Sequence, residues 1–455
     1  MTDDATPRGP DPAPHQAPGP GSVRALLGKA LSLVGARVAG NVLTLGYTLL
    51  LARLVPPAEF GWVMTGFAWT MLLSIGLALN VESGAIRYLV RYRDADRPGA
   101  VAGFIRFNLW LVLGATALTA LVAAAVWATG LLDAGTTGVQ VFALALLAAP
   151  VVALTRIYGR HATALGQVLR GGLPVMLVRP AVICALLGAF WLAGAEPGVP
   201  LLMILLLAAF VATALVQAAL LRHTFAFARR AAPDYSDIRP WLGTGFAMAP
   251  LLVLRDNLKH VIVAAAGLTL GAAAVGHVAL ALSVMTLFYF GMKAVDIALS
   301  PALSQALQGA RPGRVRHLLG SAAKVKLAGL AVAVAMVALG GRAGIGLFGP
   351  GYGDALAPLA VLMLIPATEA LFGPAQVVLN VTGRQGAVFR VAGISAIVLV
   401  AATAAGGWLA GAEGAAAGAG LSYALQQALL RRTAWRETGV DTSAATLWRR
   451  PGARE

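Results

Sequence analysis

Two stretches of otherwise apolar sequence carry charges that a hydrocarbon environment penalises. Between Leu242 and Leu303, Arg255, Asp256, Lys259 and His260 interrupt one run, and Lys293 and Asp296 interrupt the next. A charge at the bilayer centre costs about 2.5–3.5 kcal/mol on insertion scales, so such residues persist where they pair or line a wet cavity, and by default they mark a pathway for substrate or ions. Arg255 and Lys259 are four residues apart and are expected to share one helix face. There they could hold an anionic group, an arginine gripping phosphate in bidentate fashion. Arg37 shares a face with Asn41 in the first apolar run; it either lines the same cavity or snorkels to the interface. Lys293 and Asp296, three apart, either place a cation at the cavity mouth or pair locally. Asp256 could pair with Lys259 or His260. Glu369, alone in its run, is either a protonated coupling site or the partner of an unmatched cation. The expected substrate-binding cations are therefore Arg37, Arg255, Lys259 and Lys293, and the candidate ion-coupling acids are Asp256, Asp296 and Glu369. Arg179, just before Pro180, is expected to snorkel.

The elements that carry these residues follow from the solvent. Hydrophobic residues make up 58% of the 455-residue chain and charged residues only 12%, with a mean hydropathy of +0.78. That much apolar surface cannot be buried inside a water-soluble core of this size, so the chain is expected to be a polytopic membrane protein. Lipid satisfies no backbone N–H or C=O group, which leaves helices or closed barrels, and runs of about 20–28 residues select helices. Twelve spans are expected, at 27–52, 61–81, 101–128, 139–158, 173–193, 199–221, 241–266, 272–300, 322–340, 355–380, 388–410 and 413–431. Pro150 and Pro250 fall inside spans and Pro301 at the end of one, where they either kink the helices or serve packing. A Pro- and Gly-rich disordered tail is expected over 1–22, bundles of six helices over 23–221 and 241–436, a linker over 222–240 and a second tail over 437–455.

The net charge of +16 does not indicate nucleic-acid binding, because the basic residues cluster in short loops at helix ends. Arg87, Arg91, Arg93 and Arg97, then Arg229, Arg230 and Arg239, then Arg311, Arg314, Arg316, Lys324 and Lys326 all fall on one face, while the other face holds Arg53 and Arg342. The positive-inside bias makes the first face cytoplasmic and puts both termini there. Far-face loops are too short for an extramembrane domain. One cysteine, Cys184, allows no intrachain disulfide. No phosphate-binding glycine loop, zinc-ligand pattern or metal cluster is present, so neither a cofactor nor an enzymatic activity is expected.

The halves also repeat. Asn41 precedes Gly61 by nearly the spacing at which Asn257 precedes Gly276, and each glycine is followed about twenty residues later by an acid, Glu82 and Asp296. Two six-span halves of equal orientation would be related by an axis along the membrane normal, with substrate bound between them. The segments "LLLARLVPPAEFGWV" (Leu49–Val63), "LFGPGYGDALAPL" (Leu347–Leu359), "GPAQVVLNVTGRQGAV" (Gly373–Val388) and "GAEGAAAGAGLSYAL" (Gly411–Leu425), in that order and spacing, resemble polysaccharide flippases of the MOP (multidrug/oligosaccharidyl-lipid/polysaccharide) exporter superfamily. The resemblance runs from about Ala30 to Arg436. It implies two six-helix bundles in a V, in a bacterial cytoplasmic membrane. It also implies the flipping of a polyprenyl-diphosphate-linked oligosaccharide for surface polysaccharide biosynthesis, with polysaccharide-assembly proteins as further partners. The same superfamily includes lipid II flippases and MATE exporters, so an ion-coupled small-molecule exporter and a lipid II-type flippase are the alternatives. A scaffold for glycan assembly is the alternative outside transport.

Overall fold

The computed structural model describes residues 20–130, 133, 135–309 and 311–447. Residues 1–19, most of the expected first tail, and 448–455, at the end of the second, lie outside the described residues. Among the described residues twelve long helices follow one another: α1 Pro20–Leu54, α2 Pro57–Ala78, α3 Pro98–Ala128, α4 Thr137–Ala164, α5 Val168–Leu192, α6 Val199–Leu221, α7 Ile238–Ala266, α8 Ala272–Gln308, α9 Pro312–Gly346, α10 Gly353–Phe372, and α11 and α12 over 385–409 and 412–438. Among the described residues there is no strand. The chain is an all-helical, multi-pass membrane protein, and each expected span overlaps one of these helices, although the tenth, expected over 355–380, stops at Phe372, where Gly373 breaks it before a short helix over Ala375–Val381. Nine helical stretches among the described residues are long and apolar enough to cross a membrane, with α11 and α12 joined as one of them. The other two long helices, α1 and α7, are the ones diluted by internal charge, Arg37 in α1 and Arg255, Asp256 and Lys259 in α7.

Helix ends follow local chemistry. Proline opens α2, α3 and α9, where its missing N–H is no loss. The reversal between α11 and α12 is made at Ala410 and Gly411, the glycine at φ +63°, a conformation that carries little steric cost only without a Cβ. In α7 the kink is not at its proline. Non-helical dihedrals fall at Asn257 (φ −131°, ψ 17°) rather than at Pro250.

Before that break α7 rests on the first bundle; beyond it the chain touches both, His260 lying against Phe67 of α2 with ring centres 5.4 Å apart. Trp241, fully buried, donates Nε1–H to the Tyr92 hydroxyl at 2.8 Å, and Tyr88 donates to the Pro240 carbonyl at 2.8 Å. Just before α7, Arg97 pairs with Asp234 at 2.7 Å. The Ser236 backbone N–H and this guanidinium hold the Asp234 carboxyl below its ordinary range. Beyond Asn257, Val261–Ala266 are buried, and Thr269 donates to the Ala404 carbonyl of α11 at 3.1 Å.

At the far face, opposite the termini, the bundles close on each other through backbone contact. A Cβ built on Gly61 of α2 would lie 1.9 Å from the Ala272 carbonyl oxygen, and one on Gly276 of α8 would lie 2.2 Å from that of Pro57. Tyr352 donates to the Val55 carbonyl at 3.0 Å and Arg53 to that of Leu347 at 2.8 Å, completing the closure. Gly276→Val should force these helix ends apart. In a Cys184→Ser background, chemical cross-linking of Arg53→Cys to Leu347→Cys is expected to fall several-fold when Gly276→Val is added; unchanged cross-linking would refute the clamp.

Candidate functional site

Two charged clusters stand on the helices flanking the junction of the bundles. The first lies where α4 meets α7. Arg255 donates to Asp256 through Nε at 2.8 Å and Nη2 at 3.0 Å, and Arg160 of α4 reaches the same carboxylate at 3.2 Å. Their side chains are well exposed, Arg255 by 47%. Beyond the break at Asn257, Lys259 turns to α8 and donates to the Ser283 hydroxyl at 2.8 Å. The helix face expected to unite Arg255 and Lys259 is therefore interrupted. Asp256 drew neither Lys259 nor His260; its partners are its neighbour Arg255 and the distant Arg160. Two arginines here share one carboxylate, a local excess of one positive charge, and Lys259, a turn further along α7, is a separate cation on a neutral hydroxyl. Nearby, the buried Glu82, flagged by the repeat, pairs with Arg156 of α4 at 3.0 Å.

The second cluster is enclosed by α8, α9, α10 and α12. Lys293 meets Glu369 at 2.9 Å, and Lys326 of α9 sits between Asp296 at 2.6 Å and Glu369 at 3.6 Å. The second Glu369 oxygen accepts from the Tyr423 hydroxyl at 2.6 Å and from Gln427 Nε2 at 2.8 Å, and Tyr289 bonds Tyr423 at 2.9 Å. The local Lys293–Asp296 pair allowed by their spacing is not formed, because each finds a better-placed partner on another helix. Glu369 is the partner of cations, not an isolated acid: both its oxygens face donors, the environment of an acceptor-only carboxylate. Two ammonium groups and two carboxylates make the cluster neutral. Its one substantially exposed member is Lys293, 32% accessible, with its Nζ 5.3 Å from the Tyr289 ring centre.

Lys326 departs furthest from expectation. Grouped with the interfacial cations by sequence, it is 1% exposed. The reason is that α9 starts at Pro312 rather than near 322, so Lys326 lies well inside the helix. Arg156 and Arg160 were not singled out from the sequence; the signal that could have found them is their four-residue spacing on one face of α4. Arg37 is exposed on α1. Arg179 is half-buried. No group of His, Cys, Asp and Glu that could hold a metal ion occurs among the described residues.

Solved structures match this arrangement of helices. An inward-facing multidrug resistance MATE family transporter of the MOP superfamily superposes with a TM-score of 0.72 at 16% identity, over 88% of this chain and 96% of that one. The fold is that of MOP-superfamily transporters. Lipid II flippase MurJ in an inward closed conformation superposes with a TM-score of 0.65 at 12% identity, covering 89% of this chain and 86% of its own. An outward-facing MATE family transporter reaches 0.58 at 16% identity, over 88% and 94%. No protein-family model matches the sequence, and no curated protein matches it. On this MOP fold, the first cluster and Lys293 lie on helices that border the junction of the bundles, and the clamp at Gly61 and Gly276 closes that junction at one end.

Proposed function

We propose that the chain is a flippase that moves a polyprenyl-diphosphate-linked oligosaccharide across a bacterial cytoplasmic membrane by alternating access, both termini being cytoplasmic. The observation that carries this reading is that Arg160 and Arg255 share the single carboxylate of Asp256 between α4 and α7, with Lys259 further along α7 on the neutral Ser283 hydroxyl of α8, on a MOP fold. A diphosphate head group supplies the missing negative charge. Arg255 and Lys259 would bind it, Lys293 would meet it at the edge of the neutral cluster, and Arg37 would face it from α1. The bodies over 23–221 and 241–436 would rock about the 222–240 linker. The first half of α7, packed on the first bundle, would extend that linker as a hinge that bends at Asn257. A clamp closed at the far face, and a higher TM-score to the inward-facing MATE than to the outward-facing one, support a cleft that opens toward the termini. Any ion that drives the cycle through Asp256, Asp296 or Glu369 would have to displace a tethered cation. No enzymatic step is part of this reading.

Deletion of the gene is expected to abolish the surface glycan while the lipid-linked precursor accumulates, with plasmid-borne chain restoring it. Normal surface glycan would overturn the reading. Drug hypersensitivity with intact glycan would favour the exporter, and accumulation of lipid II would favour the lipid II-type flippase.

A further inference from the structure

On the side of α4 away from the charged junction, α3, α4 and α6 enclose a cleft of about 560 Å³. Most of its lining is apolar, including Ile105, Leu109, Leu154, Leu215, Leu221 and Phe225, and Arg106 and Arg222 also stand in it. Along α6 it extends from Ala214 to Leu221, the last residue of that helix. At helical rise this is roughly 10 Å, measured from the end of the span inward. One leaflet of a hydrocarbon core about 30 Å thick contains that depth. The mouth is apolar as well, with Leu215 65% exposed.

A second cavity, of about 540 Å³, adjoins it at the polar end, and its charged and titratable lining is Arg93, Arg97, Arg170 and His223 with one acid, Asp96. The turn after α6 serves both, presenting Arg222 and Phe225 to the first and His223 and Thr224 to the second. Arg97 is committed to Asp234 and Arg93 to Asp94. Arg170 and Arg222 are exposed, and among the described residues neither forms an ion pair.

We propose that this paired cavity is a binding site for one anionic phospholipid of the terminal-face leaflet, its acyl chain in the apolar cleft and its phosphate held by Arg222 and Arg170. An apolar slot that lies within one leaflet and ends in guanidinium groups matches both ends of such a lipid, and arginine suits a phosphate through its planar fork of donors. The site is separate from the cargo path of the proposed flippase. Thr155 and Tyr158 of α4 face the cleft, whereas Arg156 and Arg160 turn the other way, to Glu82 and Asp256. The bound lipid would brace the turn from Arg222 to Phe225, from which the chain runs on to Asp234 and its bond to the Gly99 carbonyl.

The test uses the purified full-length chain and native mass spectrometry. Phosphatidylglycerol is compared with phosphatidylcholine of identical chains, and inorganic phosphate serves as a competitor. One phosphatidylglycerol is expected to be retained in preference to phosphatidylcholine. Arg170→Ala with Arg222→Ala, both surface changes, should weaken that retention roughly ten-fold or more, as loss of charge-assisted hydrogen bonds implies. Ala218→Phe, which fills the cleft, should do the same. Equal retention of both lipids would overturn the proposal, as would displacement by phosphate alone or retention unchanged in the arginine variant. The arginine variant decides the matter even if Ala218→Phe does not fold. None of these readouts depends on transport, so the lipid site and the flippase reading fail separately.

Discussion

Lys326→Met is expected to destabilise the second bundle by about 3–5 kcal/mol, the range for removing one partner of a buried ion pair. The ammonium lies 2.6 Å from Asp296 and 3.6 Å from Glu369, in a side chain that is 0% exposed. Glu369 keeps Lys293, Tyr423 and Gln427 after the substitution. Asp296, 6% exposed, loses the cation closest to it, and that unpaired buried charge is where most of the cost arises. The double variant Lys326→Met with Asp296→Leu removes both charges, and apolar replacement of a whole buried pair is commonly neutral or stabilising by about 1–4 kcal/mol. Thermal unfolding of the purified proteins should therefore show a large drop for the single variant and substantial recovery for the double. A single variant that melts with the parent would contradict the buried pair. A double variant no better than the single would place the cost in lost packing instead.

The two kinds of information in this chain were unequally legible. Spans could be read because lipid leaves only helices or closed barrels and the length of the apolar runs selects helices, and α6 runs over the residues expected for it. The repeat was legible at its glycines. Gly61 and Gly276, matched only by spacing, turn out to pack against each other, since a Cβ on Gly61 would lie 2.9 Å from the Gly276 nitrogen. Asn257, matched to Asn41 on the same grounds, is the break in α7. The charges were legible as an anomaly but not as a network. Spacing exposes only neighbours three or four residues away, and the partners of Glu369 come from α8, α9 and α12. Lys326 was misplaced for a related reason. The opening turns of α9 carry Arg314 and Arg316 and look like loop, so hydropathy starts the helix late and leaves a core lysine at the apparent interface.

The cations at the junction carry the second large effect. Arg255→Gln and Lys259→Gln are each expected to weaken head-group capture by roughly 10–150-fold, because a hydrogen bond to a charged group contributes about 1.5–3 kcal/mol and each 1.4 kcal/mol is a factor of ten. Stability should change little at Arg255. Its guanidinium is exposed, exposed pairs contribute about 0–1 kcal/mol, and Arg160 remains on Asp256. Lys259 gives up one bond, to Ser283. Proteoliposomes loaded with a fluorescent polyprenyl-diphosphate glycan, in which only label on the outer leaflet is quenched, measure the flipping rate directly. At sub-saturating cargo the rate should fall with affinity in both variants, and Arg255→Lys should recover part of it by restoring charge without the bidentate fork. Flipping at the parental rate by the double variant, at normal protein level, would remove the junction from the cargo path. A fall confined to Lys259→Gln would instead make the Arg255–Asp256–Arg160 triad a brace between α4 and α7, leaving the cargo to the lysine beyond the break.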